Sequence, residues 1–492
     1  MNLKAQAVRG LKWQAVEIAG RQLLSLIVFT ILARLLDPTA FGLLGMVAVY
    51  LAFAGMFVEQ GIGTAIVQRK DLQPEHLDAA FWFNFACAGV LTGATMALAG
   101  PISGFFDEPQ LEPLLRWGSL TLVAGSLSGV HAALLVREMD FRRPAIRTMT
   151  ANFTGGGVGV CMAVGGCGVW SLIGQQLASV ATGAAMLWYL SPWRPRPRFS
   201  FRHLRDLLAV GTSVFSTGLL WFVASRADQL FIGRGLGTAV LGQYVVGGKL
   251  AEIGRLALGQ PLSGVSMPAF AKVQTDHERL RRVIVNAVAL SSVLAFPAFF
   301  GLSAIAPTVV PLVFGERWVE AGAVLRLLAL YQLLVVFLAF PHPALVATGN
   351  LRGYVIVNVV CATGAVLACW IGVSIGVEAV VTGLIINLAV TGLLALLFLN
   401  RRIGLTPWMY TRPCLGALAA SLVMVGCILV TQRAISARLP MYVSALIQIS
   451  VGATVYAGLA SVLAGSSVRQ VWMLVRSGIG RAAAIPTARM GV

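Results

Sequence analysis

Eight charged side chains lie inside long apolar runs of this chain, where an ionisable group is costly and usually faces a protein interior or a water-filled cavity. Cations in such a setting can hold an anionic, phosphate-bearing ligand, and arginine favours two-pronged contacts with phosphate. Carboxylates there are candidates for proton or cation coupling. The candidate ligand-binding cations are Arg21, Arg226, Lys249 and Arg255, and the candidates for ion coupling or charge pairing are Glu17, Asp228, Glu252 and Glu59.

The spacing of these charges predicts which of them share a helix face. Glu17 and Arg21 stand four residues apart, within pairing distance on one face. Lys249, Glu252 and Arg255 follow at steps of three, which also places them in one stripe. The stripe carries surplus positive charge, so internal pairing alone does not account for it.

Arg226 and Asp228 are two residues apart, a spacing that directs them to nearly opposite faces and to different partners. The alternative interpretation is that all of these charges form internal ion pairs that fix helix packing. The clustering of the cations in three apolar segments favours a cationic cavity between two helix bundles, which suits an anionic ligand.

Motifs for other chemistry are missing from the sequence. The stretch Gly247–Lys249 lacks the spacing of a phosphate-binding loop and lies in an apolar run. The 5 histidines show no HExxH pattern, and the 7 cysteines have no CxxC spacing. We therefore expect a chain that is not an enzyme and has no metal or other cofactor, with possible coupling to a proton gradient, a sodium gradient or the membrane potential.

The elements that must position these residues are membrane-spanning helices. Of the 492 residues, 58% are hydrophobic and 11% are charged, which excludes a soluble enzyme and a disordered regulator. A helix needs about 20 apolar residues to cross the hydrocarbon. Fourteen segments meet that length: 11–36, 41–67, 79–103, 114–136, 145–165, 168–190, 207–232, 239–267, 283–313, 322–347, 354–374, 378–399, 412–431 and 441–464.

The net charge of +18 reflects membrane topology rather than nucleic-acid binding. Most of the 37 Lys and Arg residues fall in alternate hydrophilic gaps when the N-terminus is placed in the cytoplasm. This alternation predicts a multi-pass protein whose N-terminus and C-terminus are both cytoplasmic.

The layout predicts two six-helix halves followed by an appendage. We expect an N-terminal lobe (1–190), a basic cytoplasmic linker (191–206) and a C-terminal lobe (207–400). Two extra helices (401–464) and a basic cytoplasmic tail (465–492) follow. A weak self-match at an offset of 200 supports the halves, because transporters are commonly built from repeats. It pairs Arg34, Leu36, Gly42 and Gln60 with Arg234, Leu236, Gly242 and Gln260.

Several stretches resemble Wzx-type polysaccharide flippases, the colanic-acid exporter-like lipopolysaccharide biosynthesis proteins of the MOP superfamily. The similarity is clear over about residues 8–280. The matching stretches are LKWQAVEIAGRQLLSLIVFTILARLLDPTAFGLLGM, IVQRKDLQPEHLDAAFWFN, LVREMDFRRPAI, GCGVWSLIGQQ, SPWRPRPRFSFRHLRDLLAVG and SRADQLFIGRGLGTAVLGQY.

The resemblance implies an all-α integral membrane fold of about 14 helices, with two six-helix lobes around a central cleft plus two C-terminal helices. It implies flipping of undecaprenyl-pyrophosphate-linked oligosaccharide across the bacterial inner membrane by alternating access, for exopolysaccharide, lipopolysaccharide or capsule biosynthesis. The partners it implies are membrane lipids, a polysaccharide polymerase and a chain-length regulator, with no nucleic acid. On this interpretation Arg21 and Arg226 hold the phosphate-bearing head group, while Lys249 and Arg255 add positive potential.

Two other functions remain as alternatives. A multidrug-type exporter of the same superfamily would favour a net acidic cavity, whereas the candidate cations here are at least as numerous as the acids. An integral-membrane polysaccharide polymerase or ligase would need a positioned acid–base pair or a metal at the membrane face, usually on a substantial outer loop. The short outer gaps of this chain carry no such group.

Overall fold

The computed structural model describes residues 20–138, 140, 142–435 and 439–463, except for the side chains at 209–214, 216–217, 260–269 and 271. This part of the chain is helical and contains no strand. A first helix, α1, covers residues 20–35. The others are α2 Pro38–Glu59, α3 Ile62–Gln68, α4 Pro74–Phe106, α5 Leu111–Gly118, α6 Leu120–Arg137, α7 Arg142–Val164, α8 Trp170–Leu190, α9 Phe201–Leu236, α10 Thr238–Lys272, α11 His277–Phe314, α12 Val319–Phe337, α13 Pro341–Ala347, α14 Leu351–Val373, α15 Val377–Ile403, α16 Pro407–Thr411, α17 Leu415–Ile435 and α18 Met441–Leu463.

Each predicted span coincides with one helix or with a broken pair of helices. Among the described residues, nine helical segments are long and apolar enough to cross a membrane. The remaining five predicted spans correspond to α1, α7, α8, α9 and α10, which are also helical where the chain is described; α7, α8 and α10 carry more polar residues. Two glutamines in the middle of α8, Gln175 and Gln176, illustrate why hydropathy alone ranks these helices lower. The chain is an all-α, multi-pass membrane protein.

Prolines and glycines set the breaks within the longer spans. Pro341 and Pro343 separate α12 from α13 within the predicted span 322–347, because a proline nitrogen cannot donate the helical hydrogen bond. Gln60 and Gly61 adopt left-handed backbone angles between α2 and α3, with φ values of 39° and 71°. Pro297 lies inside α11, which continues through it.

The helix α9 begins at Phe201, six residues before the predicted span 207–232. No proline follows Pro197 in the linker, and the helical spacing of Leu204 and Leu207 lets both side chains bury against α3 and α4. This packing favours helix at residues that composition alone marks as hydrophilic. The part of the linker before Phe201 has no regular secondary structure.

The helices form two compact units, each with its own core. Unit 1 comprises the described part of Met1–Val246 together with Ala365–Val377. In it α7 packs on α8, α6 packs on α4 and α8, and α9 packs on α2, α3 and α4. Its buried cluster includes Ile62, Phe81 and Leu207.

Unit 2 comprises Gly247–Gly364 and the described part of Glu378–Val492. The long helix α11 lies at its centre and contacts α12, α17 and α18. Phe296, Phe299 and Tyr410 belong to its buried core. The division into a lobe at 1–190 and a lobe at 207–400 stays a prediction.

Candidate functional site

The predicted intramembrane charges are distributed over both units. Arg21 is half-buried on α1, and Glu59 is exposed at the last residue of α2. In unit 2, Glu252 is exposed on α10, whereas Lys249 and Arg255 are half-buried on the same helix. Glu17 lies outside the described residues, so its pairing with Arg21 stays a prediction.

Arg226 and Asp228 occupy different environments on α9. The Arg226 side chain is exposed. The Asp228 carboxylate accepts a short hydrogen bond from the hydroxyl of Tyr244 on α10 and a second one, 2.8 Å long, from the backbone N–H of Gln229. No ion pair joins Arg226 to Asp228 in the described part of the chain. Asp228 therefore links α9 to α10, and sequence reasoning missed Tyr244 as its partner.

The first turns of α2 and α10 cross through a reciprocal glycine contact at one end of unit 1. A Cβ atom placed on Gly42 would lie 1.8 Å from the carbonyl oxygen of Thr238. A Cβ atom placed on Gly242 would lie 1.9 Å from the carbonyl oxygen of Pro38. Thr238 also donates a hydrogen bond of 3.0 Å to Glu108 Oε1. Only glycine at both positions allows the two backbones to approach so closely.

This contact gives the 200-residue offset a structural counterpart. Pro38 and Gly42 on α2 correspond at that offset to Thr238 and Gly242 on α10, and each pair packs against the other. The arrangement has the reciprocity of a two-fold contact between equivalent surfaces. Within unit 1, α2 and the start of α10 thus meet through residues that the 200-residue offset pairs.

An aromatic seam joins α2 to α9 further along both helices. The ring centroids of Phe57 and Phe215 are 5.1 Å apart, and those of Phe53 and Phe222 are 5.7 Å apart. These separations are typical of favourable aromatic pairs. The seam lies between the glycine crossing and the other end of the two helices.

A polar cluster, which we call the latch, ties the start of α9 to α3 and α4 at that other end. The Arg69 guanidinium forms an ion pair of 3.0 Å with Asp206. His203 Nε2 is hydrogen-bonded to Gln73 Oε1 at 3.0 Å, and its Nδ1 contacts Ser200 Oγ at 2.7 Å. These bonds connect elements far apart in sequence, so the latch holds the first turns of α9 in place.

A buried histidine completes the latch. His76 Nδ1 accepts a hydrogen bond from the backbone N–H of Gln73, 3.1 Å long, so that nitrogen carries no proton. Its Nε2 lies 3.7 Å from Asp206 Oδ2, beyond hydrogen-bond distance. The His76 and His203 rings pack edge to face with centroids 4.6 Å apart. The sequence signal for this cluster was Asp206, an acid directly after a run of arginines.

In unit 1, contacts thus join α2–α4 to α9 and the start of α10 at two ends. At one end the glycine crossing joins α2 to α10 through backbone contacts. At the other end the latch joins α9 to α3 and α4 through an ion pair and hydrogen bonds. In the described part of the chain, no group of three His, Cys, Asp or Glu side chains is arranged to hold a metal ion.

The fold matches those of solved lipid and drug transporters. Its TM-score with the lipid II flippase MurJ in the inward closed conformation is 0.77, at 14% identity over 92% of this chain and 99% of that one. A multidrug resistance MATE family transporter of the MOP superfamily, in an inward-facing conformation, gives a TM-score of 0.56 at 19% identity over 78% of this chain and 94% of that one. The chain therefore has the fold of the MOP superfamily.

Sequence comparison narrows this class to a family. The polysaccharide biosynthesis protein family matches residues 31–323, and the chain belongs to it. The succinoglycan biosynthesis transport protein ExoT of Rhizobium meliloti is 28% identical over 85% of each chain. The lipopolysaccharide biosynthesis protein WzxC of Escherichia coli K12 is 29% identical over 68% of each chain. The resemblance to Wzx-type proteins is confirmed.

Proposed function

We propose that this protein flips undecaprenyl-pyrophosphate-linked oligosaccharide from the cytoplasmic to the periplasmic leaflet of the bacterial inner membrane by alternating access. The observation that carries the proposal is the pair of contacts, the glycine crossing and the latch, that join α2–α4 to α9 and α10 at two ends of unit 1, in a member of the polysaccharide biosynthesis protein family. A carrier that exposes its ligand to one side at a time needs two gates that open in turn. The protein acts as a transporter and not as an enzyme.

The intramembrane cations supply the attraction for a pyrophosphate head group. Arg21 and Arg226 hold the head group, while Lys249 and Arg255 add positive potential around it. Moving an anion outward follows an inside-negative membrane potential, worth about 2.3 kcal/mol per charge per 100 mV. The potential alone favours export, and this mechanism requires no nucleotide.

Glu17, Asp228, Glu252 and Glu59 are the candidates for coupling to a proton or a sodium ion. Among the three of these carboxylates that the structure describes, Asp228 is the one held by two donors, the Tyr244 hydroxyl and the backbone N–H of Gln229. Exchange of that carboxylate between its charged and neutral forms would change the bonding between α9 and α10. This links an ion-binding event to the helices that form the gates.

The names of the relatives support a polysaccharide precursor as the cargo, since they are named for succinoglycan, lipopolysaccharide and, in Bacillus subtilis, teichuronic acid biosynthesis. A polymerase and a chain-length regulator are the proposed partners downstream. The N-terminus and C-terminus are proposed to lie in the cytoplasm, which places the latch at the cytoplasmic end and the glycine crossing at the periplasmic end.

Export of a cationic drug is the second candidate, favoured by the shared fold with a multidrug transporter. The two functions differ in the charge that the site must present. An anionic head group requires the cations to be retained, whereas a cationic drug requires the acids. Neutralising each set in turn therefore distinguishes the two cargoes.

The test is complementation of a strain that lacks its own flippase, with the leaflet position of the lipid-linked oligosaccharide as the readout. We expect Arg21→Gln and Arg226→Gln each to trap the intermediate on the cytoplasmic leaflet while the protein inserts normally. Arg116→Gln is the matched control, because Arg116 is half-exposed and pairs with Glu112 on the same helix at 2.6 Å. Normal surface polysaccharide in both cavity variants would refute the assigned roles.

A further inference from the structure

The linker that precedes α9 has a fixed backbone conformation. The backbone N–H of Arg196 donates a hydrogen bond of 3.0 Å to Oδ1 of Asp78, whose side chain is only 2% exposed. The indole N–H of Trp82 donates a hydrogen bond of 2.7 Å to the Arg196 carbonyl. These two bonds attach both the backbone N–H and the carbonyl of Arg196 to α4.

Aromatic packing anchors the linker at a second point. The Trp193 ring lies 6.0 Å from the Phe81 ring and 5.1 Å from the His131 ring, measured between centroids. The Arg194 guanidinium lies 5.8 Å from the centre of the Trp188 ring and donates to the carbonyls of Ser191 and Trp193. Arg194 is thus engaged within the protein. We call this docked segment, residues 191–200, the strap.

Docking turns four other arginines outward. Arg196, Arg198, Arg202 and Arg205 are exposed, and none has an acidic partner among the described residues. In the first turns of α9, Leu204 and Leu207 are buried, whereas Phe201, Arg202 and Arg205 are exposed. Residues 189–205 contain no acid at all.

Exposed aromatic rings stand between these arginines. Tyr189 is 83% exposed, Phe199 is 57% exposed and Phe201 is 70% exposed. Aromatic rings of this kind are favoured at the level of lipid head groups, where an apolar ring and nearby polar atoms are both accommodated. Clustered arginines next to a spanning helix attract anionic lipids.

We propose that this surface, formed by Tyr189, Arg196, Arg198, Phe199, Phe201, Arg202 and Arg205, is a binding site for anionic phospholipids of the adjacent leaflet. Lipid phosphates contact the four outward guanidinium groups, and the aromatic rings enter the head-group layer. The site is separate from the cation set proposed for the cargo, and it does not depend on the transport proposal. Because the strap ends at α9, lipid bound there also restrains the helix that carries Asp206 of the latch.

The charge arrangement selects a membrane lipid over free phosphate. The four arginines follow one another along the chain and are all exposed, and the exposed rings between them need an apolar partner. A free anion satisfies only the charges, whereas an anionic lipid satisfies both the charges and the rings. Asp71 and Glu75 also lie at this end of unit 1, so neighbouring acids offset part of the attraction.

The experiment measures lipid binding to the full-length protein by native mass spectrometry in detergent, with phosphatidylglycerol, phosphatidylethanolamine and free glycerol phosphate as probes. We expect phosphatidylglycerol to bind at least about tenfold more tightly than phosphatidylethanolamine, since each basic residue near an anionic surface contributes severalfold. Replacing Arg196, Arg198, Arg202 and Arg205 together by Gln is expected to abolish that preference.

A matched control removes the same charge elsewhere. Lys272, Arg279, Arg282 and Arg401 are exposed and lie at other helix ends, so their fourfold replacement by Gln is expected to leave the preference intact. If the linker variant fails to insert, Phe199→Ala with Phe201→Ala keeps every charge and is expected to weaken phosphatidylglycerol binding severalfold. Equal loss in the control, an unchanged aromatic variant, or full competition by glycerol phosphate would overturn the proposal.

Discussion

The glycine crossing makes a sharp prediction about helix packing. Replacing Gly42 by Ala would place a methyl carbon 1.8 Å from the Thr238 carbonyl oxygen, whereas an ordinary carbon–oxygen contact is about 3.3 Å or more. The two helices must therefore separate by roughly 1.5 Å, because a backbone carbonyl cannot rotate away as a side chain does. Overpacking of this kind costs about 1–3 kcal/mol, and a clash with backbone belongs at the upper limit.

The control is Gly93→Ala on α4, where an added Cβ atom meets nothing within 4 Å. Alanine is favoured over glycine within a helix by roughly 0.5–1 kcal/mol, so this variant is expected to be as stable as the parent or slightly more stable. The two alanine substitutions are thus predicted to have opposite signs. The assay is thermal unfolding of the purified protein, followed by size-exclusion chromatography of the heated samples.

The reciprocal geometry adds a second test. Gly242→Ala is expected to destabilise the protein about as much as Gly42→Ala, since its methyl carbon would lie 1.9 Å from the Pro38 carbonyl oxygen. One separation of the helices relieves both clashes, so the double variant should cost less than the sum of the single ones. Unfolding of Gly42→Ala at the same temperature as Gly93→Ala would refute the crossing, and full additivity would refute its reciprocity.

Two further predictions concern the polar contacts. Asp206→Asn removes the ion pair with Arg69. Because both side chains are partly exposed, we expect the protein to lose at most about 1 kcal/mol of stability. We also expect increased labelling of a cysteine introduced at the latch end of unit 1. Exchanging Arg69 and Asp206 should restore protection of that cysteine from labelling. Unchanged labelling in Asp206→Asn would contradict the latch. Tyr244→Phe removes a donor from the Asp228 carboxylate and should cost about 1.5–3 kcal/mol in thermal unfolding; a melting temperature equal to that of the parent would contradict this bond.

Hydropathy and charge alternation were sufficient to predict the helices. Spans of about 20 apolar residues are imposed by the bilayer, so their positions follow from composition, and the break at Pro341–Pro343 follows from the chemistry of proline. The start of α9 at Phe201 was missed, since it depends on burial of Leu204 and Leu207 against helices distant in sequence. Such tertiary packing leaves no signal in local hydropathy.

The candidate site was predicted only in part for the same reason. The cost of intramembrane charge singles out Arg226 and Asp228, but nothing in the sequence joins Asp228 to Tyr244. The offset of 200 did point to Gly42 and Gly242, although it could not reveal that the two glycines pack against each other's helix. The pairing of Arg69 with Asp206 became visible only in the fold.

The two closures of unit 1 differ in chemistry, and this difference bears on how they open. The latch is made of an ion pair and hydrogen bonds between partly exposed side chains, so water can replace each bond as it breaks, and each is worth about 1 kcal/mol or less. The glycine crossing is backbone packing, whose contacts are lost together when α2 and α10 separate. On the proposed mechanism we therefore expect the latch end to open bond by bond and the crossing to open in one cooperative step. If the termini lie in the cytoplasm as proposed, we expect the cytoplasmic side to open gradually and the periplasmic side to open in a single step.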